Sequence, residues 1–264
     1  MASNTRSARP GSRAIGAPDG PNAIPLLVAA ACGAEVVLVF GHLGVGVLLE
    51  ALVLATILTI QATSGREDLR AIAPIALVPL LRLLSLTTPL PGVPTIYWLA
   101  LAGVPLAAGG MLAARAAGLS RGALGLRRTS LVAQISIAVL GLSAGYALWR
   151  LAGPISLIDP GQTPGDLLIT TVLLAVFGGV VEEFIFRGVI QSALSATYGG
   201  GAVLLTGILY GSSYLGSLSI EYTVFMTIMG LIYGLVAQRT GSIVGISASH
   251  ALLLVGAFLL FPAL

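Results

Sequence analysis

The chain has 264 residues, of which 56% are hydrophobic and only 9% charged, and its formal net charge is +3. With a mean hydropathy of +1.00, it cannot cover the exterior of a soluble domain, so most of its surface must face lipid. The basic residues are spread along the chain rather than clustered with aromatics, which excludes nucleic-acid binding, and the single Cys32 can supply neither an internal disulfide nor a thiolate metal cage.

Residues 1–22 are rich in Ser, Arg, Gly and Pro without apolar periodicity and read as a disordered tail. Beyond them, apolar runs long enough to cross a bilayer follow one another at 24–40, 43–60, 71–86, 96–113, 131–149, 167–196, 202–218, 223–237 and 242–261. A spanning helix needs about 20 apolar residues, and its backbone must satisfy its own hydrogen bonds in lipid. The fold class is therefore all-α, a polytopic membrane helix bundle of about nine transmembrane helices. Eight is the alternative, because Gly41-His42-Leu43-Gly44 is short enough to be a kink. Residues 23–129 form the leading helices and 130–264 the trailing ones, divided by a basic loop at 114–129.

All thirteen basic residues are Arg, a usage that together with abundant Ala, Gly and Leu suggests a bacterial genome of high GC content. Arg6, Arg9 and Arg13 precede the first run, Arg66 and Arg70 follow the second, Arg115, Arg121, Arg127 and Arg128 the fourth, and Arg239 the eighth. Basic connections collect in the cytoplasm. The expected topology is a multi-pass protein of the cell inner membrane with a cytoplasmic N-terminus, an external C-terminus and membrane lipids as its first partners. The pairs Gly207 with Gly211, Gly230 with Gly234 and Gly241 with Gly245 read as close helix contacts within the chain.

Ionisable residues inside apolar runs are costly unless paired or set in a polar cavity. Glu35, Glu50 and Arg82 fall at similar depth in the leading helices, and the expected arrangement is a Glu50–Arg82 salt bridge with Glu35 beside it. The trailing half holds Glu182-Glu183-Phe184-Ile185-Phe186-Arg187. Glu183 and Arg187, spaced i, i+4, can pair along one helix face, which leaves Glu182 about 100° away and free to act on water as a general base.

Residues 167–261 resemble the CAAX-protease and bacteriocin-processing (Abi) family of intramembrane endopeptidases. The resemblance rests on Glu182-Glu183-x-x-x-Arg187-Gly188, on Gly230-Leu-Ile-Tyr-Gly234-Leu235 and on Arg239-Thr240-Gly241-Ser242-Ile243 leading to His250. It implies that Glu182 and the His of an F-x-x-x-H segment activate water, and that an H-x-x-x-N segment beginning at His250 stabilises the oxyanion. In this chain the F-x-x-x-H segment stands as Tyr210-Gly-Ser-Ser-Tyr214, and Leu254 occupies the Asn position. A phenol does not take a proton from water as an imidazole does, and leucine donates nothing to an oxyanion.

The site residues expected from this resemblance are Glu182, Glu183, Arg187, Tyr214 and His250, with Glu182, Tyr214 and His250 around one cavity below the cytoplasmic surface and no cofactor or metal. Two functions follow. One is an intramembrane endopeptidase cutting hydrophobic or prenylated peptides near the cytoplasmic face. The other is a catalytically impaired relative serving as a scaffold or accessory subunit among the subunits of a membrane complex. A transporter-like role for Glu35, Glu50 and Arg82 is a third reading.

Overall fold

The computed structural model describes residues 20–64, 67–87, 91–127, 129–153, 156–158 and 161–264. Residues 1–19, with Arg6, Arg9 and Arg13 of the expected tail, and also Arg66, Arg128 and Asp159, lie outside the described residues. The described chain is helical, with one isolated bridge, Leu126 to Ser242, instead of any strand. Nine helices succeed one another: α1 (Gly20–Phe40), α2 (Leu43–Ser64), α3 (Leu77–Thr87), α4 (Trp98–Ala116), α5 (Leu131–Ala152), α6 (Pro164–Tyr198), α7 (Gly201–Ser212), α8 (Ile220–Thr240) and α9 (Val244–Ala263).

Seven of the nine are long and apolar enough to cross a membrane. The exceptions, α3 and α7, are shorter, so the nine expected helices are present with these two falling short of a full spanning length. A 3-10 stretch, Glu67–Ala76, takes up the first part of the third apolar run. The seventh run, expected to reach residue 218, stops being α-helical at Ser212. The kink reading of the first connection fails, because Gly41 and His42 break the helix. The chain then doubles back so tightly that a side chain at Gly46 would meet the backbone of Leu38.

Local sequence sets the ends of the other helices. Thr163 and Asp166 form a reciprocal capping box at the start of α6, with Pro164 at the first helical position. Ser130 and Ser219 cap α5 and α8 by accepting from Ala133 and Tyr222 backbone amides. Gly153 and Gly241 close the same two helices in the left-handed conformation, which glycine adopts without a Cβ penalty.

Helix α9 sits between α5 and α6, and glycines let the backbones approach. A Cβ on Gly141 or Gly145 would strike the Ser249 or Leu253 carbonyl of α9, and one on Gly179 would strike Ala251. Lipid offers no hydrophobic drive for helix association, so such close packing supplies the adhesion. Two of the three expected glycine pairs behave similarly: Gly207 and Gly211 of α7 receive Leu231 and Thr227 of α8, while Gly230 and Gly234 of α8 receive Tyr210 and Gln191. The third does not, since Gly241 is the cap of α8 and only Gly245 meets a neighbouring helix, at Gln134. The basic loop is tied to the α8–α9 turn by the Ile243 amide donating to the Gly125 carbonyl at 3.0 Å.

Candidate functional site

Helix α6 runs for 35 residues, and Glu182 and Glu183 stand near its middle, between two stretches of wide π-type turns, Leu174–Val181 and Phe184–Gln191. Such turns displace side chains from regular helical positions and often mark functional places. Glu183 is fully buried. Its Oε1 accepts from Arg187 Nη1 at 3.0 Å, as the i, i+4 spacing predicts, and lies 3.0 Å from His250 Nδ1. Arg187 donates through Nη2 to the Gly230 carbonyl at 2.9 Å, and its guanidinium lies 4.2 Å from the centre of the Tyr210 ring. The glycine at 230 brings α8 within reach of that arginine, because a Cβ there would meet the Tyr210 ring.

Glu182 faces the other way, as expected. Its Oε2 accepts from the Tyr214 hydroxyl at 2.7 Å. The Tyr214 hydroxyl is 3.2 Å from that of Tyr210, and the Tyr210 hydroxyl is 3.4 Å from His250 Nε2. One connected series therefore runs Glu182, Tyr214, Tyr210, His250, Glu183, Arg187. All five expected site residues belong to it. The sixth, Tyr210, had no assigned role from sequence; the signal was its spacing of four from Tyr214, which the turn after α7 keeps close enough for the two rings to meet edge to face at 5.1 Å.

Tyr214 owes its position to the early end of α7. Twelve residues of helix rise about 18 Å, so the chain leaves the helix within the depth of the bilayer. Irregular backbone is tolerated there only when protein groups satisfy it. Arg82 Nη2 donates to the Ser213 carbonyl at 2.9 Å, and Thr223 Oγ1 donates to that of Tyr214 at 3.1 Å. Arg82 also grips Glu35, with its Nε 2.9 and 2.8 Å from the two carboxylate oxygens and its Nη2 at 2.8 Å. The expected Glu50–Arg82 bridge is not formed. Glu50 is fully buried and neither carboxylate oxygen has a hydrogen-bond partner. Similar depth placed the three charges near one another, but depth says nothing of rotation about each helix axis, and that rotation turns Glu35 rather than Glu50 to the guanidinium.

Two cavities meet Glu182. One, of about 260 Å³, is lined by Tyr214, Tyr222, Gly178, Leu254, Leu157 and Phe258 among others. The other, of about 240 Å³, lies along α4 and α6 and includes Trp98, Gly103, Phe177 and Leu81. Both are mainly apolar in their lining. The buried indole Nε1 of Trp98 has no hydrogen-bond partner, so a donor that sequence analysis did not single out belongs to a residue beside Glu182. Glu182 and Tyr214 share a cavity, whereas His250 is fully buried and lies behind Tyr210. Leu254, one turn beyond His250, does line the first cavity. A Cβ on Gly178 would strike its side chain, so this glycine makes room for it.

The cavities also lie differently from the expectation of a site just under the basic surface. Thr95, Leu157 and Tyr222 in their walls belong to helix ends and connections opposite those that carry Arg115 and Arg239. Counting residues from one end of each helix gave depth, but it could not tell toward which surface a cavity at mid-depth opens.

Residues 164–255 match a family model described as type II CAAX prenyl endopeptidase Rce1-like. The match covers about a third of the chain, from the capping box of α6 into α9, and includes every member of the hydrogen-bonded series. No curated protein matches the chain, and no solved structure does. Residues 164–255 are thus similar to the CAAX prenyl endopeptidases that the motifs resemble, within an all-α, multi-pass membrane protein.

Proposed function

We propose that this protein is an intramembrane endopeptidase in which Glu182 draws a proton from water and the resulting hydroxide attacks a peptide bond of a hydrophobic or prenylated chain lying in the apolar cavities. The observation that carries the reading is the Glu182–Tyr214 contact at 2.7 Å in the wall of a mainly apolar cavity of about 260 Å³. A carboxylate so placed can take the proton from water as a general base and, once protonated, return it to the nitrogen that leaves as the amine when the C–N bond of the tetrahedral intermediate breaks. Glu183 and Arg187 act behind it, holding His250 and the α8 backbone in register.

Two observations favour a second reading, a member that retains the fold as a membrane scaffold or accessory subunit with hydrolysis attenuated: a phenol in place of imidazole at 214 and an alkyl chain at 254. The test is cleavage of a prenylated CAAX peptide by the purified, reconstituted chain and by Glu182→Gln. Slow, Glu182-dependent cleavage is expected. Cleavage equal in both proteins would remove Glu182 from the chemistry, and none in either would favour the scaffold.

In the proposed topology the basic connections are cytoplasmic in an inner membrane and the C-terminus is external. The cavities then open toward the external half of the bilayer, away from the cytoplasmic face that the family resemblance implies. A reporter enzyme active only outside the cytoplasm, fused after Leu264, is expected to be active. Activity of a cytoplasm-only reporter at that position would invert the topology and turn the cavities inward.

A further inference from the structure

A third cavity, of about 390 Å³, lies at the basic ends of the helices, walled by the loop from Gly122 to Arg127, the last turns of α6 and the turn between α8 and α9. Among the described residues its wall contains two arginines, Arg127 and Arg187, and no acid. Arg187 is 2% and Gln191 4% exposed, and each has one atom without a hydrogen-bond partner: Arg187 Nε, a donor, and Gln191 Oε1, an acceptor. Their other polar atoms are engaged, Arg187 with Glu183 and the Gly230 carbonyl, and Gln191 Nε2 with the Gly234 carbonyl at 2.9 Å. The serine hydroxyls in the wall are taken as well, since Ser192 donates to the Ala123 carbonyl at 2.6 Å and Ser195 to that of Gln191 at 2.7 Å. Buried polar atoms are seldom left unmatched in a native protein, and those that are call for an explanation.

The two unmatched atoms ask for opposite things. Arg187 Nε and the exposed Arg127 need an anionic acceptor, whereas Gln191 Oε1 needs a donor. A phosphate oxygen meets the first need, since arginine presents several N–H donors in a plane that suits phosphate. A hydroxyl on the same molecule meets the second. We propose that this cavity binds a phosphate ester bearing a free hydroxyl, the chemistry of a glycerophosphate group. Basic pockets between helices at a membrane surface are suited to such headgroups, and a soluble glycerol phosphate has the same groups. The site is separate from the Glu182 cavities and meets the hydrogen-bonded series only at Arg187.

The test is thermal unfolding of the full chain, titrated in neutral detergent with glycerol phosphate and in nanodiscs with phosphatidylglycerol against phosphatidylcholine. A saturable rise in the unfolding temperature with the phosphoglycerol ligand is expected. Arg127→Gln should weaken it roughly tenfold, the loss of one charge-assisted contact. Arg121→Gln makes the same charge change in the same loop but outside this cavity, and should leave binding unchanged. Gln191→Met should weaken glycerol phosphate more than inorganic phosphate, because only the former offers the hydroxyl. A response to the lipid alone would assign the headgroup as the natural source, and a response to both would make a soluble ester sufficient. Absence of any saturable response, or equal weakening by Arg127→Gln and Arg121→Gln, would overturn the proposal.

Discussion

Replacing Tyr214 by His and Leu254 by Asn together is expected to raise peptide cleavage by at least about a hundredfold over the unmodified chain. The tyrosine hydroxyl already touches Glu182 at 2.7 Å, so an imidazole on the same backbone position stands beside the carboxylate and, being shorter, leaves space for a water between them. A positioned acid or base contributes typically 10²–10⁴-fold. Leu254 lines the cavity that Glu182 and Tyr214 share, so an asparagine amide there faces the place where a tetrahedral oxyanion would form, and one such donor contributes about 10²–10³-fold. The two factors need not multiply in full, because the groups act as a unit. Adding Glu182→Gln to the double variant is expected to remove the gain. If the double variant folds normally but cleaves no faster, or if its gain survives Glu182→Gln, the assignment of these positions to water activation is wrong.

The helix content and the contents of the site were legible because the signals are local. Nine helices follow from nine apolar runs, and the pairing of Glu183 with Arg187 follows from a spacing of four. The partner of Arg82 and the face toward which the cavities open were not legible, because both depend on the rotation of helices whose apolar surfaces look alike all round. The Leu43–Ser64 helix, for instance, carries Glu50 as its one charge, so nothing in its own pattern says which side is inward. The end of α7 at Ser212 was missed for a related reason. The run from Ala202 to Leu218 keeps apolar residues to its end, but Gly211-Ser212-Ser213 and Gly216-Ser217 weaken its second half, and tertiary contacts complete the break: Arg82 from α3 takes the Ser213 carbonyl, and the chain continues through a 3-10 turn to Leu218 at φ 56°. Tyr210 escaped notice as a participant because its hydroxyl gains meaning only when His250, 40 residues on, packs against it.

Arg82 is the residue on which the leading helices and the Tyr214 loop both depend, and its replacement by Met is expected to be among the most destabilising single changes in the chain. Its side chain is 12% exposed and that of Glu35 is 1% exposed. Removing the guanidinium strands Glu35 beside an already unpartnered Glu50 and frees the Ser213 carbonyl in the bilayer interior. Breaking a buried ion pair by deleting one member costs about 3–5 kcal/mol, because the other charge is left uncompensated. The companion change Glu35→Gln removes that charge, so the double variant Glu35→Gln/Arg82→Met should recover most of the loss. What it cannot recover is the bond to Ser213, and the residual deficit of roughly 1 kcal/mol should appear as a loosened Tyr214. Unfolding in detergent for the two single variants and the double variant measures the coupling directly. Strictly additive losses would show that the Glu35–Arg82 contact contributes nothing and that Arg82 acts through Ser213 alone. A large coupling, with Tyr214 displaced from Glu182 even in the double variant, would show that helices outside the family-matched segment hold the site's tyrosine in place.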